Sequence, residues 1–111
     1  MSVSVRAVDG VYGRSAVGLR ARLERIDDRL APVAHGETDG DGTIPGWSAS
    51  CLQRGTHRIV FDSDRYFATL GVTAAYPEVV VTFRVLEESD NSLIQVVLSP
   101  YAYSTYFGTA A

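Results

Sequence analysis

Apolar and polar positions alternate with a period of two along several stretches of the chain, the pattern of strands that bury one face. Val3, Val5 and Ala7 alternate with Ser4, Arg6 and Val8. Beyond the turn-like pairs Asp9-Gly10 and Tyr12-Gly13, Val17, Leu19, Ala21 and Leu23 alternate with Gly18, Arg20, Arg22 and Glu24. The many Arg, Leu and Ala residues of 15–30 would also suit a helix, but sustained alternation with Gly18 inside it favours a strand. Gly36 to Gly46, with Asp39 and Asp41, reads as a turn or loop. Arg58 to Phe61 is a short apolar strand. Asp62-Ser63-Asp64 then caps a two-turn helix through Tyr66, Phe67 and Leu70, stopped by Gly71. Past Pro77, Val79, Val81, Phe83 and Val85 occupy one face of a strong strand, with Val80, Thr82, Arg84 and Leu86 on the other. Glu87 to Ser92 is a polar hairpin loop. The last strand runs from Leu93 through Val97 to Pro100 and on through Tyr101 to Tyr106, with Pro100 marking a bulge or an edge. Seven or eight short strands and one helix, without repeat or linker, predict an all-β sandwich occupying 1–111 as a single domain.

Composition supports a folded core, since 46% of residues are hydrophobic and 21% charged. The formal net charge of −3, with ten dispersed Arg and no Lys, gives no electrostatic footprint for nucleic acid or anionic lipid. No apolar run approaches the roughly 18 residues of a membrane span, and the N-terminal alternation lacks the apolar core of a signal peptide, so the expected location is cytoplasmic. Cys51 is the one cysteine and reads as a free thiol without a role. His35 and His57 lie at unrelated spacings, form no metal pattern, and read as solvent-facing side chains. No metal or other cofactor is expected.

The C-terminal stretch Leu98-Ser99-Pro100-Tyr101-Ala102-Tyr103-Ser104-Thr105-Tyr106 resembles the signature of the transthyretin and 5-hydroxyisourate hydrolase family. Tyr76-Pro77-Glu78-Val79, Phe61-Asp62 with Tyr66-Phe67, and Ala7-Val8-Asp9 followed by Gly13-Arg14-Ser15-Ala16 resemble other family segments in register. The resemblance implies a transthyretin-like two-sheet β-sandwich with one short helix. It also implies a homotetramer, built as a dimer of dimers through sheet edges, with a ligand channel between the dimers.

The hydrolase opens a strained ring with water, which needs a proton acceptor and a cation for the developing oxyanion. The resemblance implies a His on the first strand, an Arg after an Asp-Gly turn, a His near the start of the last strand, and a Tyr-Arg-Gly-Ser terminus. In this sequence those positions hold Arg6, Thr43, Leu93 and Tyr106-Phe107-Gly108-Thr109. Arg stays protonated near neutral pH and Leu has no acid–base chemistry, so hydroxyisourate hydrolysis is not expected. The same resemblance places Arg6, Val8, Thr43, Leu93, Gln95, Val97, Ser104 and Tyr106 on the channel wall.

Arg6 and Tyr106 are the candidate catalytic residues, Arg6 anchoring a carboxylate or enolate and Tyr106 donating a hydrogen bond or acting as a weak acid. Val8, Thr43, Leu93, Gln95, Val97 and Ser104 are the candidate ligand-binding residues. A structural alternative pairs Arg6 with Asp9 or Glu24, and Asp41 is the nearest carboxylate. Two functions follow. The first is a repurposed enzyme, a cyclase, isomerase or hydrolase acting on a small organic molecule of specialised metabolism. The alternative is a non-catalytic small-molecule binder, for which the family's hormone carriers, with Lys at the position of Arg6, are the parallel.

Overall fold

The computed structural model describes residues 2–47, 52–86 and 91–109. Cys51, most of the predicted 87–92 loop and Ala110-Ala111 lie outside the described residues. The elements are β1 (Ser2–Asp9), β2 (Arg14–Ser15), β3 (Arg20–Ile26), β4 (Leu30–Glu37), β5 (Gly55–Phe61), α1 (Ser63–Thr69), β6 (Val79–Val85), β7 (Asn91–Ser99) and β8 (Ala102–Thr109). They form two four-stranded sheets, β2-β1-β7-β8 and β4-β3-β5-β6. Every pairing is antiparallel except that of β1 with β7, which is parallel.

Alternation becomes burial wherever the expected strand forms. Val79, Val81, Phe83 and Val85 of β6 face inward, against Val3, Val5 and Ala7 of β1 and Ile94, Val96 and Leu98 of β7 within one core. Burying one such side chain is worth about 1.5–3 kcal/mol, so a one-residue slip, which exchanges the faces, is strongly disfavoured. The helix is capped as its sequence predicts: the Arg65 N–H donates to the Asp62 carboxylate at 3.2 Å, and Gly71 takes a φ of +74° just past its end.

Several expectations are corrected. Val17 is 55% exposed and outside the sheet, because Gly18 turns the chain at φ +78° and resets the phase; Leu19, Ala21 and Leu23 carry the buried face. Gly36 belongs to β4 rather than to a loop, and the loop begins at Thr38. The strand β4 itself has no counterpart in the predicted pattern. It is an edge strand with mostly exposed side chains and carries Pro32, so it shows no alternation to read. The predicted last strand is two strands: Pro100 and Tyr101 form the turn that reverses β7 into β8. His57 faces inward and is 1% exposed, whereas His35 is exposed on β4.

Two buried polar groups tie the parts together. Asp9, fully buried at the end of β1, accepts the Tyr66 hydroxyl of α1 at 2.6 Å, and its other oxygen accepts the N–H groups of Val11 and Tyr12. Burial first, and then this bond, pushes the Tyr66 phenol well above its ordinary pKa, so it acts as a donor. Thr38 accepts the Leu19 N–H at 2.9 Å and donates to the Ala16 carbonyl at 2.6 Å, fixing the start of the loop after β4. Tyr66→Phe removes the helix's polar anchor and leaves one oxygen of a buried carboxylate without its donor. It is expected to cost about 1.5–3 kcal/mol, the worth of a hydrogen bond to a charged group, read as a lower denaturation midpoint in urea at unchanged slope.

Candidate functional site

The period of two that buries Val5 and Ala7 directs Ser4, Arg6 and Val8 to the outer face of the β2-β1-β7-β8 sheet. On β7 the same rule places Leu93, Gln95 and Val97 outward. Register then assembles rows across the strands. Arg6 pairs with Gln95, and Gln95 with Tyr106; Val8 pairs with Val97, and Val97 with Ser104; Leu93 lies between Ser4 and Gly108. An isolated antiparallel bridge joins Arg6 to Thr43, supported by the Ala7 N–H bonding to the Gly42 carbonyl at 2.8 Å. All eight candidate residues therefore share one face, with the polar row Thr43-Arg6-Gln95-Tyr106 crossing it.

The loop that delivers Thr43 is organised by Asp39, a residue the sequence reading passed over in favour of Asp41. The Asp39 carboxylate accepts the N–H groups of Asp41 and Thr43 at 3.0 and 3.1 Å and the Thr43 hydroxyl at 3.0 Å. The backbone N–H groups of Thr43 and then Asp41 hold the Asp39 carboxyl below the usual carboxylate range. Gly42 has a φ of +76°, and a Cβ there would lie 2.4 Å from the Ala7 carbonyl, so only glycine lets the loop lie this close on β1. The Asp-Gly-Asp-Gly run carried this signal in the sequence, as a turn whose carboxylate bonds the backbone ahead of it.

Arg6 is exposed and enters none of the ion pairs formed among the described residues. Its expected alternative partners are engaged elsewhere. Asp9 points into the core toward Tyr66, and Glu24 is bound by Arg58 at 2.9 Å and Arg22 at 3.4 Å in the other sheet. The Arg58 hydrogen bond is the main cause holding the Glu24 carboxyl low. Neither histidine reaches the Arg6 face, because β4 and β5 both belong to the opposite sheet.

Tyr106 is 63% exposed. Its ring lies along β8 over Gly108: a Cβ at Gly108 would stand 2.6 Å from Cε1 and 2.7 Å from the hydroxyl. Since Gly108 pairs with Leu93, the phenol is held beside Leu93. Phe107, alternating to the other side, tilts against Phe83 with ring centroids 6.0 Å apart.

A cavity of about 630 Å³ opens along the seam where edge strands β6 and β8 leave the two sheets apart, lined by Val81, Phe83, Arg84, Leu86, Thr105 and Phe107. None of the eight candidate residues lines it. Among the described residues no group of His, Cys, Asp and Glu could hold a metal ion, and no helix is long and apolar enough to cross a membrane.

A family model described as the HIUase/Transthyretin family matches residues 3–108. The 5-hydroxyisourate hydrolase of Mus musculus is 31% identical over 111 residues, covering 96% of this chain and 94% of that protein. In fold, the chain is similar to sea bream transthyretin solved in complex with thyroxine, with a TM-score of 0.92 at 23% identity over 100% of this chain and 98% of the other. It is also similar to Klebsiella pneumoniae 5-hydroxyisourate hydrolase, with a TM-score of 0.84 at 23% identity over 98% and 100%.

Gly108→Ala is expected to lift the Tyr106 ring off β8. Nuclear Overhauser contacts between the Tyr106 ring and the α-protons of residue 108 should be strong in the native protein and lost in the variant, while β8 stays paired with β7.

Proposed function

The chain belongs to the HIUase/Transthyretin family, and from that premise we propose that it is a divergent member that has given up 5-hydroxyisourate opening and receives a small organic anion on its Arg6 face. The observation that carries the reading is the polar row Thr43-Arg6-Gln95-Tyr106, in which a guanidinium without an ion-pair partner among the described residues stands among hydrogen-bonding groups on an apolar floor of Val8, Leu93 and Val97. Such a combination suits a flat ligand with one anionic end, because Arg offers a fixed fork of donors to a carboxylate or enolate. At the positions where the family resemblance expects imidazole, the face has Arg6 and Leu93. Proton transfer to or from water has no histidine to use there.

A single copy presents this face open to solvent. We propose that the unit of function is a homotetramer, in which each domain spans the chain and two pairs of copies close their Arg6 faces into a channel. Support comes from the edges. Strands β6 and β8 end the two sheets on the same side of the sandwich, with no further strand on their outer edges among the described residues and with exposed aromatic rings on β8, which is a template for pairing with another copy.

A repurposed catalyst, whether cyclase, isomerase or hydrolase, is the second reading, and one observation favours it. The Tyr106 phenol is held over Gly108 beside Leu93, where it can donate a proton to, or hydrogen-bond, a ligand whose charge Arg6 stabilises. Under this reading Tyr106→Phe abolishes turnover and leaves binding nearly intact.

Freshly generated 5-hydroxyisourate should decay at the buffer rate in the presence of the purified chain; acceleration well above buffer would overturn the proposal. The aromatic anion 8-anilinonaphthalene-1-sulfonate should bind with a saturable rise in fluorescence. Arg6→Ala should raise its Kd about tenfold to a hundredfold, the worth of a charge-assisted hydrogen bond. An unchanged Kd would make Arg6 a surface residue.

A further inference from the structure

Gln95 occupies the middle of the polar row, between Arg6 on β1 and Tyr106 on β8, and is half-buried on the outer face. Its backbone is engaged, since the carbonyl accepts the Thr105 hydroxyl at 3.1 Å. Its side-chain carboxamide makes no hydrogen bond among the described residues. Along its own strand the neighbours on this face are Leu93 and Val97, both half-buried and apolar, and neither can satisfy an amide. Donor and acceptor are left for water or for a ligand.

The other polar members of the row cannot do what Gln95 can. Arg6 offers donors only. The Thr43 hydroxyl is committed to the two Asp39 oxygens, each 3.0 Å away, which leaves it an acceptor. Tyr106 brings a single hydroxyl at the far end. Gln95 alone carries a neutral N–H donor and a C=O acceptor side by side in one plane, the pattern by which glutamine reads an adenine edge with two bonds. A ligand group that answers it presents an acceptor and a donor on one rigid edge. That group is uncharged, because the cation of the row is Arg6, one strand away. A primary carboxamide is the smallest such group; open-chain secondary amides are trans and hold N–H and C=O on opposite sides.

We propose that Gln95 is the specificity-determining residue of the Arg6 face, and that the ligand is a flat monoanion with a neutral carboxamide edge about 5 Å from its charge, the spacing of neighbouring strands. This ligand class rests on the anion-binding reading above and deepens it. Arg6 holds the anionic end, Gln95 pairs with the carboxamide through two hydrogen bonds, and Leu93 and Val97 flank the flat body. A ketone in place of the carboxamide meets the Gln95 donor and leaves its oxygen without a partner. A second carboxylate turns a lone pair and a charge against that oxygen.

The test uses benzoates substituted at the meta position, which sets about this separation: meta-carbamoylbenzoate, meta-acetylbenzoate and isophthalate. Each is titrated into the isotope-labelled full chain and followed by the amide resonances of Arg6 and Gln95 into the millimolar range. The native chain should bind meta-carbamoylbenzoate about threefold to tenfold more tightly than meta-acetylbenzoate, the worth of one neutral hydrogen bond, and isophthalate no more tightly than the ketone. Gln95→Met should bring the carbamoyl and acetyl Kd values together, whereas Arg6→Ala should weaken both and keep their ratio. Equal Kd values on the native chain, a ratio that survives Gln95→Met, or isophthalate binding tightest would overturn the role of Gln95. In each of those cases weaker binding by Arg6→Ala leaves the anion-binding reading standing. If no probe shifts Arg6 and Gln95, that reading falls and the ligand class with it. Should Gln95→Met not fold, Gln95→Asn, shorter by a methylene, must narrow the ratio, and an unchanged ratio overturns the proposal.

Discussion

The parallel pairing of β1 with β7 is the constraint on which the rest of the structure depends. Parallel neighbours cannot be joined by a tight turn. Here the chain leaves β1, builds the whole opposite sheet and the helix, and only then returns to lay β7 beside its starting strand. The register of that return sets Arg6 against Gln95 and Val8 against Val97. The outer face is thus assembled from opposite ends of the sequence, and a slip of one residue would exchange its polar row for the core.

What steadies the register is a division of labour between the two sides of each strand. Inward positions are mostly apolar, and two of the buried polar residues, Asp9 and Thr38, have clear structural tasks. Asp9 closes the turn after β1 and anchors α1 through Tyr66; Thr38 fastens the loop that carries Asp39 and Thr43 to the face. A rigid interior leaves the outward positions free to change chemistry without threatening the fold. The proposed loss of the hydrolase residues is a change that such freedom permits.

The role proposed for the outer face is recognition more than proton transfer. Arg6 is a fixed charge without an ion-pair partner among the described residues, Thr43 is committed to Asp39, and Tyr106 is held flat by the absence of a side chain at Gly108. The one buried imidazole sits in the opposite sheet, behind Phe83, at the seam between edge strands.

Much of this was legible in the chain itself. Alternation in 3–7 and 81–85 fixed strands and faces, because a period of two leaves one side no alternative to burial. Asp62 and Gly71 marked the ends of the helix, and the segments resembling the hydrolase family fixed the architecture and the shared face of the eight candidate residues. The edge strand β4, the reversal at Pro100, the anchoring role of Asp39 and the burial of His57 were not legible. Each depends on what lies across space: an edge has one neighbour and no alternation, a proline turn and a proline bulge share the same letters, and a histidine at the start of a strand is inside or outside according to which strand flanks it. Sequence determined which positions are apolar and how often; the pairing of strands far apart in the chain decided which of them meet.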